Sequence, residues 1–208
     1  MSQLKKSFLH KNQEINQSEK KIPEVGICNG KNILFQLTGS IACYKACIVI
    51  SKLVQSGNQV RTLASEAALK FIGKATLEGL TDNAVITEMF GTRFPRAHID
   101  LPDWADLLIL CPATANTINA LAAGLADNLI GSTFLANNFR KPYLIAPAMN
   151  TNMFLHPATQ ESLKKLEAWG VRILPTDEGR LACGTSGPGR LLEPEKILLE
   201  IMKCLGTK

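Results

Sequence analysis

The chain has 208 residues, of which 46% are hydrophobic, and this size and composition suit one globular domain. Its formal net charge is +5, but residues 1–31 carry six lysines against three glutamates, so the remaining chain need not present a basic face to nucleic acid. No apolar run reaches the roughly 20 residues that cross a bilayer, and we expect no membrane partner.

The first 30 residues are polar, rich in Asn, Gln, Lys and Ser, and almost free of aromatic side chains. We predict a disordered tail over residues 1–30 and a single domain over residues 31–208. The tail resembles neither a signal peptide nor a transit peptide. Six scattered cysteines with no Cys-x-x-Cys pair favour reduced thiols over a disulfide framework or a zinc site, so we expect a cytoplasmic protein without a metal.

Apolar runs and helical patterns alternate along the rest of the chain. Strands without polar alternation, separated by helices, predict an α/β fold with a parallel sheet covered on both faces. The predicted strands are Asn32–Leu37, Gln59–Ala64, Trp104–Cys111, Tyr143–Ala146 and Val171–Pro175, and the predicted helices are Ile41–Ser56, Glu66–Ile72, Ala115–Ala126, Gln160–Trp169 and Glu193–Leu205.

Polar motifs follow these strands, at the edge of the sheet where ligands bind in such folds. Gly39 and Ser40 follow the first strand, where backbone N–H groups and a hydroxyl can hold a phosphate, although the local pattern alone favours Ser40 as a plain helix cap. Ser65 follows the second strand with the same two alternatives. The pattern is neither a dinucleotide fingerprint nor a Walker loop, so a mononucleotide or another phosphate is expected.

A run of small polar residues follows the most buried predicted strand. Thr114, Ala115, Asn116 and Thr117 begin a helix there and would suit the lining around a flat polar ring system. Helix capping by Thr114 or Asn116 is an equally good interpretation of the local pattern.

Three more residues could take part in acid–base chemistry or hold a carboxylate. His98 precedes the buried strand and is either a general acid or base or a packing residue. Asn150 could bind a carboxylate through its amide, with Met153 as an apolar wall, or could simply form a turn. Cys183 lies in a glycine-rich stretch over residues 181–192 that predicts a flexible loop or lid. Its thiol is either inert or a proton donor, since a free thiol is mostly protonated at neutral pH.

These segments together resemble the homo-oligomeric flavin-containing cysteine decarboxylases over residues 31–205. The segments that carry the resemblance are Gly39–Ala42, Tyr44–Ala46, His98–Leu101, Trp104–Asp106, Ala113–Thr117, Ala126–Leu129, Ala146–Asn150 and Ala182–Gly184. The resemblance implies a Rossmann-like three-layer sandwich that binds FMN across a subunit interface in trimers or trimer-based shells. It implies FMN contacts from Gly39, Ser40, Ser65, Thr114, Ala115, Asn116 and Thr117, substrate contacts from Asn150, Met153 and Ala182, and catalytic roles for His98 and Cys183.

The implied activity is that of the members that convert 4′-phosphopantothenoylcysteine into 4′-phosphopantetheine in coenzyme A biosynthesis. Oxidation of the substrate thiol to a thioaldehyde provides an electron sink for loss of CO₂, and FMN can accept the hydride. His98 would assist this oxidation, and Asn150 would hold the carboxylate. Cys183 would protonate the enethiolate so that the hydride returns, which favours a redox-neutral carboxy-lyase.

The same resemblance is compatible with three alternative functions. These are an oxidative peptidyl-cysteine decarboxylase, a prenyl-FMN-forming transferase and a non-catalytic regulatory flavoprotein. Cys183 argues against the first two functions, and the short basic tail argues against the third. Thr185 and Leu192 depart from the acidic residue and the methionine common in the family, and we expect them to tune the lid.

Two expectations concern partners. Because the sequence ends soon after Glu193, where many relatives continue into a ligase domain, we expect a separate synthetase to supply the small-molecule substrate. The substrate's phosphate has four unranked candidate ligands, which are Arg93, Arg96, Lys141 and Arg190.

Overall fold

A parallel five-stranded sheet forms the centre of the protein in a computed structural model that describes residues 29–89, 95–180 and 186–206. The strand order is β2-β1-β3-β4-β5, and every neighbouring pair is parallel. Two further strands, β6 and β7, form a separate antiparallel hairpin. The strands are β1 (Asn32–Leu37), β2 (Gln59–Ala64), β3 (Leu107–Ala113), β4 (Tyr143–Pro147), β5 (Arg172–Ile173), β6 (Asp177–Arg180) and β7 (Ser186–Arg190).

Helices cover both faces of the sheet. Two clusters of buried apolar side chains lie on opposite faces, and β3 is buried along its whole length. This explains why its sequence is apolar without alternation. The helices are α1 (Cys43–Gln55), α2 (Lys74–Thr81), α3 (Ala97–Trp104), α4 (Ala115–Ala122), α5 (Leu129–Ala136), α6 (Thr151–Leu155), α7 (Pro157–Ala168) and α8 (Pro194–Cys204), with a 3₁₀ turn at Ala68–Lys70.

The predicted α/β class and parallel sheet are confirmed, and β1 and β2 have the predicted bounds. The prediction of a helix over Glu66–Ile72 is wrong, because only a 3₁₀ turn forms there and the helix proper begins after Gly73, whose backbone is extended. The predicted helix from Ala115 ends earlier than expected, because the chain turns at Gly124, which has a positive φ of 72°.

Several structured regions were not predicted from the sequence, among them α3, α5 and β7. Helices α3 and α5 were not predicted, and neither has a strong apolar stripe, since α3 contains Pro102 and α5 is apolar on most sides. The glycine-rich stretch was predicted to be a loop, but its second half forms β7, in which Gly187 pairs with Gly179 and Arg190 pairs with Asp177.

The predicted tail lies outside the described residues, apart from Asn29 and Gly30. None of the helices in the described segments has the length and apolar character that a membrane crossing requires. Within the same segments, no group of three or more His, Cys, Asp or Glu side chains is arranged to hold a metal ion.

Candidate functional site

A cavity of about 870 Å³ lies at the carboxyl ends of β1, β2 and β3. This volume is within the range that cofactors and small ligands occupy. Its lining contains several hydroxyl and amide side chains and few large apolar ones. The lining residues are Thr38, Gly39, Leu63, Ala64, Ser65, Glu66, Ala67, Lys70, Thr87, Glu88, Met89, Thr114, Asn116, Thr117, Asp127, Asn128, Leu129 and Ile130.

The loop after β1 is attached to the end of β3 by Thr38. This buried hydroxyl donates to the carbonyl oxygen of Pro112 at 2.6 Å and accepts the backbone N–H of Thr114 at 3.0 Å. The backbone N–H of Thr38 also donates to Pro112 at 3.2 Å. One side chain therefore fixes the spacing between the two strand ends that form one wall of the cavity.

Gly39 brings the backbone close to the turn after β2. A Cβ at this position would lie only 2.6 Å from the Cβ of Ala67, so a side chain cannot be added without moving one of the two loops. Glycine also leaves the backbone exposed to a ligand at the start of the loop, as phosphate-binding turns require.

The two predicted serines behave differently. Ser40 accepts the N–H of Ala42 at 3.2 Å but does not cap α1, which begins at Cys43 without a side-chain cap, and Ser40 is not part of the cavity lining. Ser65 accepts the N–H of Ala68 at 3.2 Å and also lines the cavity. Ser65 therefore both stabilises the turn that precedes the 3₁₀ helix and faces the cavity.

The segment after β3 begins α4 beside the cavity. Thr114 caps α4 by accepting the N–H of Thr117 at 3.4 Å, and the two threonine hydroxyls lie 3.2 Å apart. Thr114, Asn116 and Thr117 line the cavity, whereas Ala115 is buried and does not. The helix-cap interpretation and the lining interpretation are thus both correct for Thr114.

The sequence analysis missed the acidic part of the lining. Glu66, Glu88 and Asp127 contribute carboxylates, and Lys70 is the one lysine or arginine in the described lining. Residues 87–89 reach the cavity because the chain forms an isolated parallel bridge between Leu63 and Ile86, a long-range pairing without a local sequence signal.

His98 lies near the start of α3, outside the cavity lining. Its Nδ1 atom is buried and has no hydrogen-bond partner in the described part of the chain. Helix α3 packs against α5, and the start of α5 lines the cavity. The imidazole of this half-buried residue therefore has, among the described residues, an unpaired ring nitrogen on its buried side.

Asn150 is the N-cap of α6. Its Oδ1 accepts the N–H of Met153 at 2.9 Å, which leaves the amide N–H₂ group free to donate to a ligand. Asn150 is exposed, and the Met153 side chain is 44% exposed. Neither residue lines the cavity in this chain, so the cavity and the Asn150 segment are separate features of the same sheet edge.

The β6–β7 hairpin packs on the Asn150 segment. The N–H of Met149 donates to the carbonyl of Gly189 at 2.9 Å. A Cβ at Gly189 would lie 2.7 Å from the Met149 carbonyl oxygen, and a Cβ at Gly187 would lie 2.7 Å from Oγ1 of Thr151. Ala182 and Cys183 fall between the two strands but outside the described residues.

Other cysteines are poor candidates for the reactive thiol. Cys43 and Cys111 are buried, and burial raises the pKa of both thiols. Burial and then the neighbouring Cys43 raise the pKa of Cys47 to about 11. Thiols with raised pKa values are weaker acids at neutral pH, and those of Cys43 and Cys111 are also shielded from a substrate.

The four phosphate candidates can now be compared. Lys141 donates to the carbonyls of Pro102 and Asp103 at the end of α3, and Arg190 binds Glu193. Arg96 forms an exposed ion pair with Asp100, and its side chain is 71% exposed. Arg93 lies outside the described residues, as does Thr185, whereas Leu192 is buried in the core.

The cavity suits a phosphorylated ring compound. The glycine-containing loop after β1 and the hydroxyls of Ser65, Thr114 and Thr117 provide donors at strand ends, and Met89 and Ile130 provide apolar contact. Thr38 holds two of these segments in place. The residues present therefore fit a flavin mononucleotide of the kind that the sequence resemblance implies.

Residues 24–206 match the model of the flavoprotein family. The coenzyme A biosynthesis bifunctional protein CoaBC of Bacillus subtilis is 44% identical over 172 residues, which are 82% of this chain and 42% of that protein. CoaBC of Mycolicibacterium smegmatis is 42% identical over 167 residues, which are 80% of this chain and 40% of that protein. The chain thus spans less than half the length of these relatives.

Solved structures have the same fold. A cysteine-to-serine mutant of PPC decarboxylase, complexed with pantothenoylaminoethenethiol, matches with a TM-score of 0.74 and 30% identity over 84% of this chain and 98% of that chain. The FMN binding protein AtHal3 matches with a TM-score of 0.74 and 31% identity over 84% and 96% of the two chains. The epidermin biosynthesis protein EpiD from Staphylococcus aureus matches with a TM-score of 0.71 and 32% identity over 82% and 99%. Because the family model covers most of the sequence and the fold agrees, this chain belongs to the flavoprotein family.

Proposed function

We propose that this protein is an FMN-dependent carboxy-lyase that converts 4′-phosphopantothenoylcysteine into 4′-phosphopantetheine in coenzyme A biosynthesis. The observation that carries the proposal is the packing of the hairpin on the Asn150 segment, since it brings the strands that flank Cys183 to the predicted carboxylate ligand. The names of the CoaBC relatives and of the PPC decarboxylase structure support the same reaction.

The cavity at the carboxyl ends of β1, β2 and β3 would hold FMN. The loop at Gly39 and the Ser65 hydroxyl would bind the phosphate, and the Thr114–Thr117 segment would bind the ring system. When bound, FMN supplies a hydride acceptor for the carbon that bears the substrate thiol and returns the hydride at the end.

Asn150 would bind the substrate carboxylate. Its Oδ1 is already occupied by the N–H of Met153, so the amide group presents its N–H₂ side, which is the side that can donate to a carboxylate. A positively charged ligand would attract the carboxylate strongly and would oppose the loss of its negative charge as CO₂ leaves. A neutral donor holds the carboxylate without this penalty. Met153 would provide an apolar contact on the same segment.

His98 would orient the substrate thiol and assist removal of its proton. A nitrogen of the half-buried imidazole ring would accept the thiol proton, as a general base does. Proton removal from sulfur makes the neighbouring carbon a better hydride donor.

Cys183 would act last, by giving its thiol proton to the carbon that has lost CO₂. The structure of the PPC decarboxylase mutant supports the need for a cysteine at this stage. That relative lacks a cysteine through mutation and was captured with an aminoethenethiol compound, which contains two hydrogens fewer than the corresponding aminoethanethiol.

The proposal includes a homo-oligomer, with a trimer as the expected unit. Ile41, Tyr44 and Ile48 are 61%, 58% and 41% exposed and lie at helical spacing beside the loop at Gly39. A neighbouring copy that covered this stripe would also approach the cavity. Its own His98 and Asn150 segments would then lie near the cavity. Light scattering of the purified protein tests the expected mass.

We further propose that the reaction takes place in the cytoplasm and that a synthetase activity supplies the substrate. The substrate contains an amide bond to cysteine, and a synthetase activity must form this bond before decarboxylation.

Anaerobic incubation of purified protein with 4′-phosphopantothenoylcysteine, followed by mass spectrometry of the product, tests the proposal. Loss of CO₂ alone is the expected result. Loss of CO₂ together with two hydrogens would indicate the oxidative reaction that the alternative peptidyl-cysteine decarboxylase performs. An unchanged substrate with a yellow protein would refute the proposed substrate.

Cys183→Ser tests the proton donor. We expect formation of redox-neutral product to fall by about 100-fold, because a positioned general acid contributes at least that much, while an enethiol is released and bound flavin becomes reduced. The matched control is Cys204→Ser, which removes a half-buried thiol on α8 and should leave product formation unchanged. Normal turnover by Cys183→Ser would remove the cysteine from the mechanism.

A further inference from the structure

An ion pair between a buried lysine and a partly exposed glutamate connects helix α1 to the base of the hairpin. The ammonium group of Lys45 lies 2.8 Å from Oε1 of Glu193, and the Lys45 side chain is almost completely buried. The same carboxylate oxygen accepts a hydrogen bond from Arg190, at the end of β7, at 2.8 Å. A buried ammonium without a partner is very costly, so Glu193 is the group that permits Lys45 to lie in the core.

Glu193 also connects to the other strand of the hairpin. Its backbone N–H donates to Oδ2 of Asp177 at 3.0 Å, and Oδ1 of Asp177 accepts from Lys196 at 2.8 Å. Asp177 and Arg190 are register partners in the hairpin. Glu193 therefore contacts the first residue of β6 and the last residue of β7, so that both ends of the hairpin base are held by one side chain and its backbone.

The other end of this connection lies beside the cavity. Lys45 is in the first turn of α1, and α1 follows directly after the loop at Gly39 that lines the cavity. The remaining contact of the hairpin, between Gly187 or Gly189 and the segment 149–151, is made by packing and one backbone hydrogen bond. Among the described residues, the Lys45–Glu193 pair is thus a charged link between the cavity side of the molecule and the hairpin.

We propose that Lys45 and Glu193 are positioning residues whose ion pair fixes the hairpin base on α1, and so determines how often the enethiolate is protonated before it leaves. This inference rests on the proposed function. In the protonation, the S–H bond of Cys183 breaks and a C–H bond forms at the carbon that lost CO₂, which yields a thioaldehyde and a cysteine thiolate. Return of the hydride to the thioaldehyde carbon would then form a C–H bond and give a thiolate, which takes up a proton from water to become the thiol product.

An enethiolate that leaves before protonation takes up a proton from water instead. The released enethiol then has two hydrogens fewer than the normal product, and the two electrons remain on the reduced cofactor. The ratio of enethiol to thiol product therefore reports how well the hairpin is positioned. Partial unfolding lowers the yield of both products without changing this ratio, since both come from folded enzyme.

Lys45→Met is the most informative variant, because methionine has a similar length, leaves no buried charge, and leaves Glu193 paired with Arg190. We expect the ratio of enethiol to thiol product to rise about five-fold or more, as is typical for loss of a coupled contact. The matched control is Lys203→Met, which removes an ion pair with Glu200 on α8 and should keep the wild-type ratio.

A second readout does not require turnover. The rate at which iodoacetamide alkylates Cys183, measured by peptide mass spectrometry, should change several-fold in Lys45→Met and stay the same in Lys203→Met. If the wild type forms thiol product but Lys45→Met changes neither the ratio nor the alkylation rate, the positioning role is wrong. If the wild type leaves the substrate unchanged, the proposed function is wrong. The alkylation rates then still test whether the Lys45–Glu193 pair positions the hairpin.

A double-mutant cycle is completed by Glu193→Gln and by the double variant Lys45→Met/Glu193→Gln. Glu193→Gln leaves Lys45 facing a neutral amide and should raise the ratio more than Lys45→Met does. If the pair acts as a unit, the double variant should show no larger ratio than Glu193→Gln alone. Fully multiplicative effects would mean that the two residues act separately and would overturn the proposal.

Discussion

The cavity side and the hairpin side of the sheet edge are built in different ways. Around the cavity, the wall consists of residues that directly follow β1, β2 and β3, and short hydrogen bonds such as those of Thr38 connect one strand end to the next. On the hairpin side, two segments far apart in the chain meet through glycine packing and through the ion pairs of Glu193.

This difference separates the two tasks of the proposed enzyme. The geometry of the cavity follows from the parallel sheet, so it is present whenever the sheet folds. The geometry of the hairpin depends on a few long-range contacts and can be altered without disturbing the sheet. Variants on the cavity side should therefore affect cofactor retention, and variants on the hairpin side should affect the fate of the substrate.

Asn150→Asp should cause the largest loss of activity, and it should leave the cofactor on the cavity side in place. Aspartate can still accept the N–H of Met153, but it loses the donor to the substrate carboxylate and adds a repelling charge. Together these changes cost about 4 kcal/mol, which corresponds to a roughly 1000-fold loss of decarboxylation. Steady-state assays measure this loss, while bound flavin should stay at the wild-type level.

The matched control is Asn138→Asp. Asn138 is also exposed and its Oδ1 also accepts a backbone N–H, from Arg140, so the same chemical change is made away from the site. A colourless Asn150→Asp protein would show that this residue is needed for the cofactor side as well, and the separation of the two sides would be lost.

Gly39→Ala should produce the complementary result on the cavity side. The new Cβ would lie 2.6 Å from the Cβ of Ala67, and the loop must shift to relieve the overlap. An overpacking cost of about 2 kcal/mol predicts roughly 30-fold weaker FMN binding, which flavin fluorescence titration measures. Gly73→Ala is the control, because a Cβ there meets no atom within 4 Å. Unchanged FMN affinity in Gly39→Ala would mean that this loop does not hold the cofactor.

Asp177→Asn should have the smallest effect of the three variants. It should lower the free energy of unfolding by an amount that depends on pH. Burial alone raises the pKa of Asp177, but Lys196, the N–H of Glu193 and the charge of Lys45 together lower it below its ordinary value. A lowered folded-state pKa stabilises the protein above the unfolded value of about 3.9, and this stability is lost as the pH falls through the folded-state pKa.

The variant should therefore be less stable at pH 7 by about 1 kcal/mol or less, and the difference from wild type should shrink as the pH falls below about 4. Urea unfolding at several pH values measures this difference. Asp103→Asn, an exposed carboxylate outside the network, serves as the control. A difference that stays constant down to low pH would show that the carboxylate charge of Asp177 does not hold the hairpin base.

The sequence predicted the cavity side much better than the hairpin side. The bounds of β1 and β2 were correct, and Gly39, Ser65 and Thr114 were placed at strand ends, because apolar runs and the residues after them are local signals. Ser40 and Ala115 were also predicted there, but they do not line the cavity, since the pattern of a motif does not reveal which of its side chains faces the ligand.

The missed features depend on contacts between distant parts of the chain. The glycine-rich composition of residues 181–192 predicts a loop. Part of this stretch is a strand because it pairs with Asp177–Arg180. The sequence indicated no partner for Lys45, since the glutamate that neutralises it lies 148 positions later. The carboxylates around Glu88 reach the cavity only through the bridge between Leu63 and Ile86. Local periodicity carries no information on such pairings.

The glycines of β7 have a consequence for the evolution and redesign of the protein. Gly187 and Gly189 lie on the same face of their strand, with Pro188 between them, and their Cβ positions are occupied by Thr151 and by the backbone of Met149. Side chains at 187 and 189 are therefore excluded unless the 149–151 segment changes with them. Any redesign of the hairpin must therefore keep both glycines or replace the contacting residues of the 149–151 segment together with them.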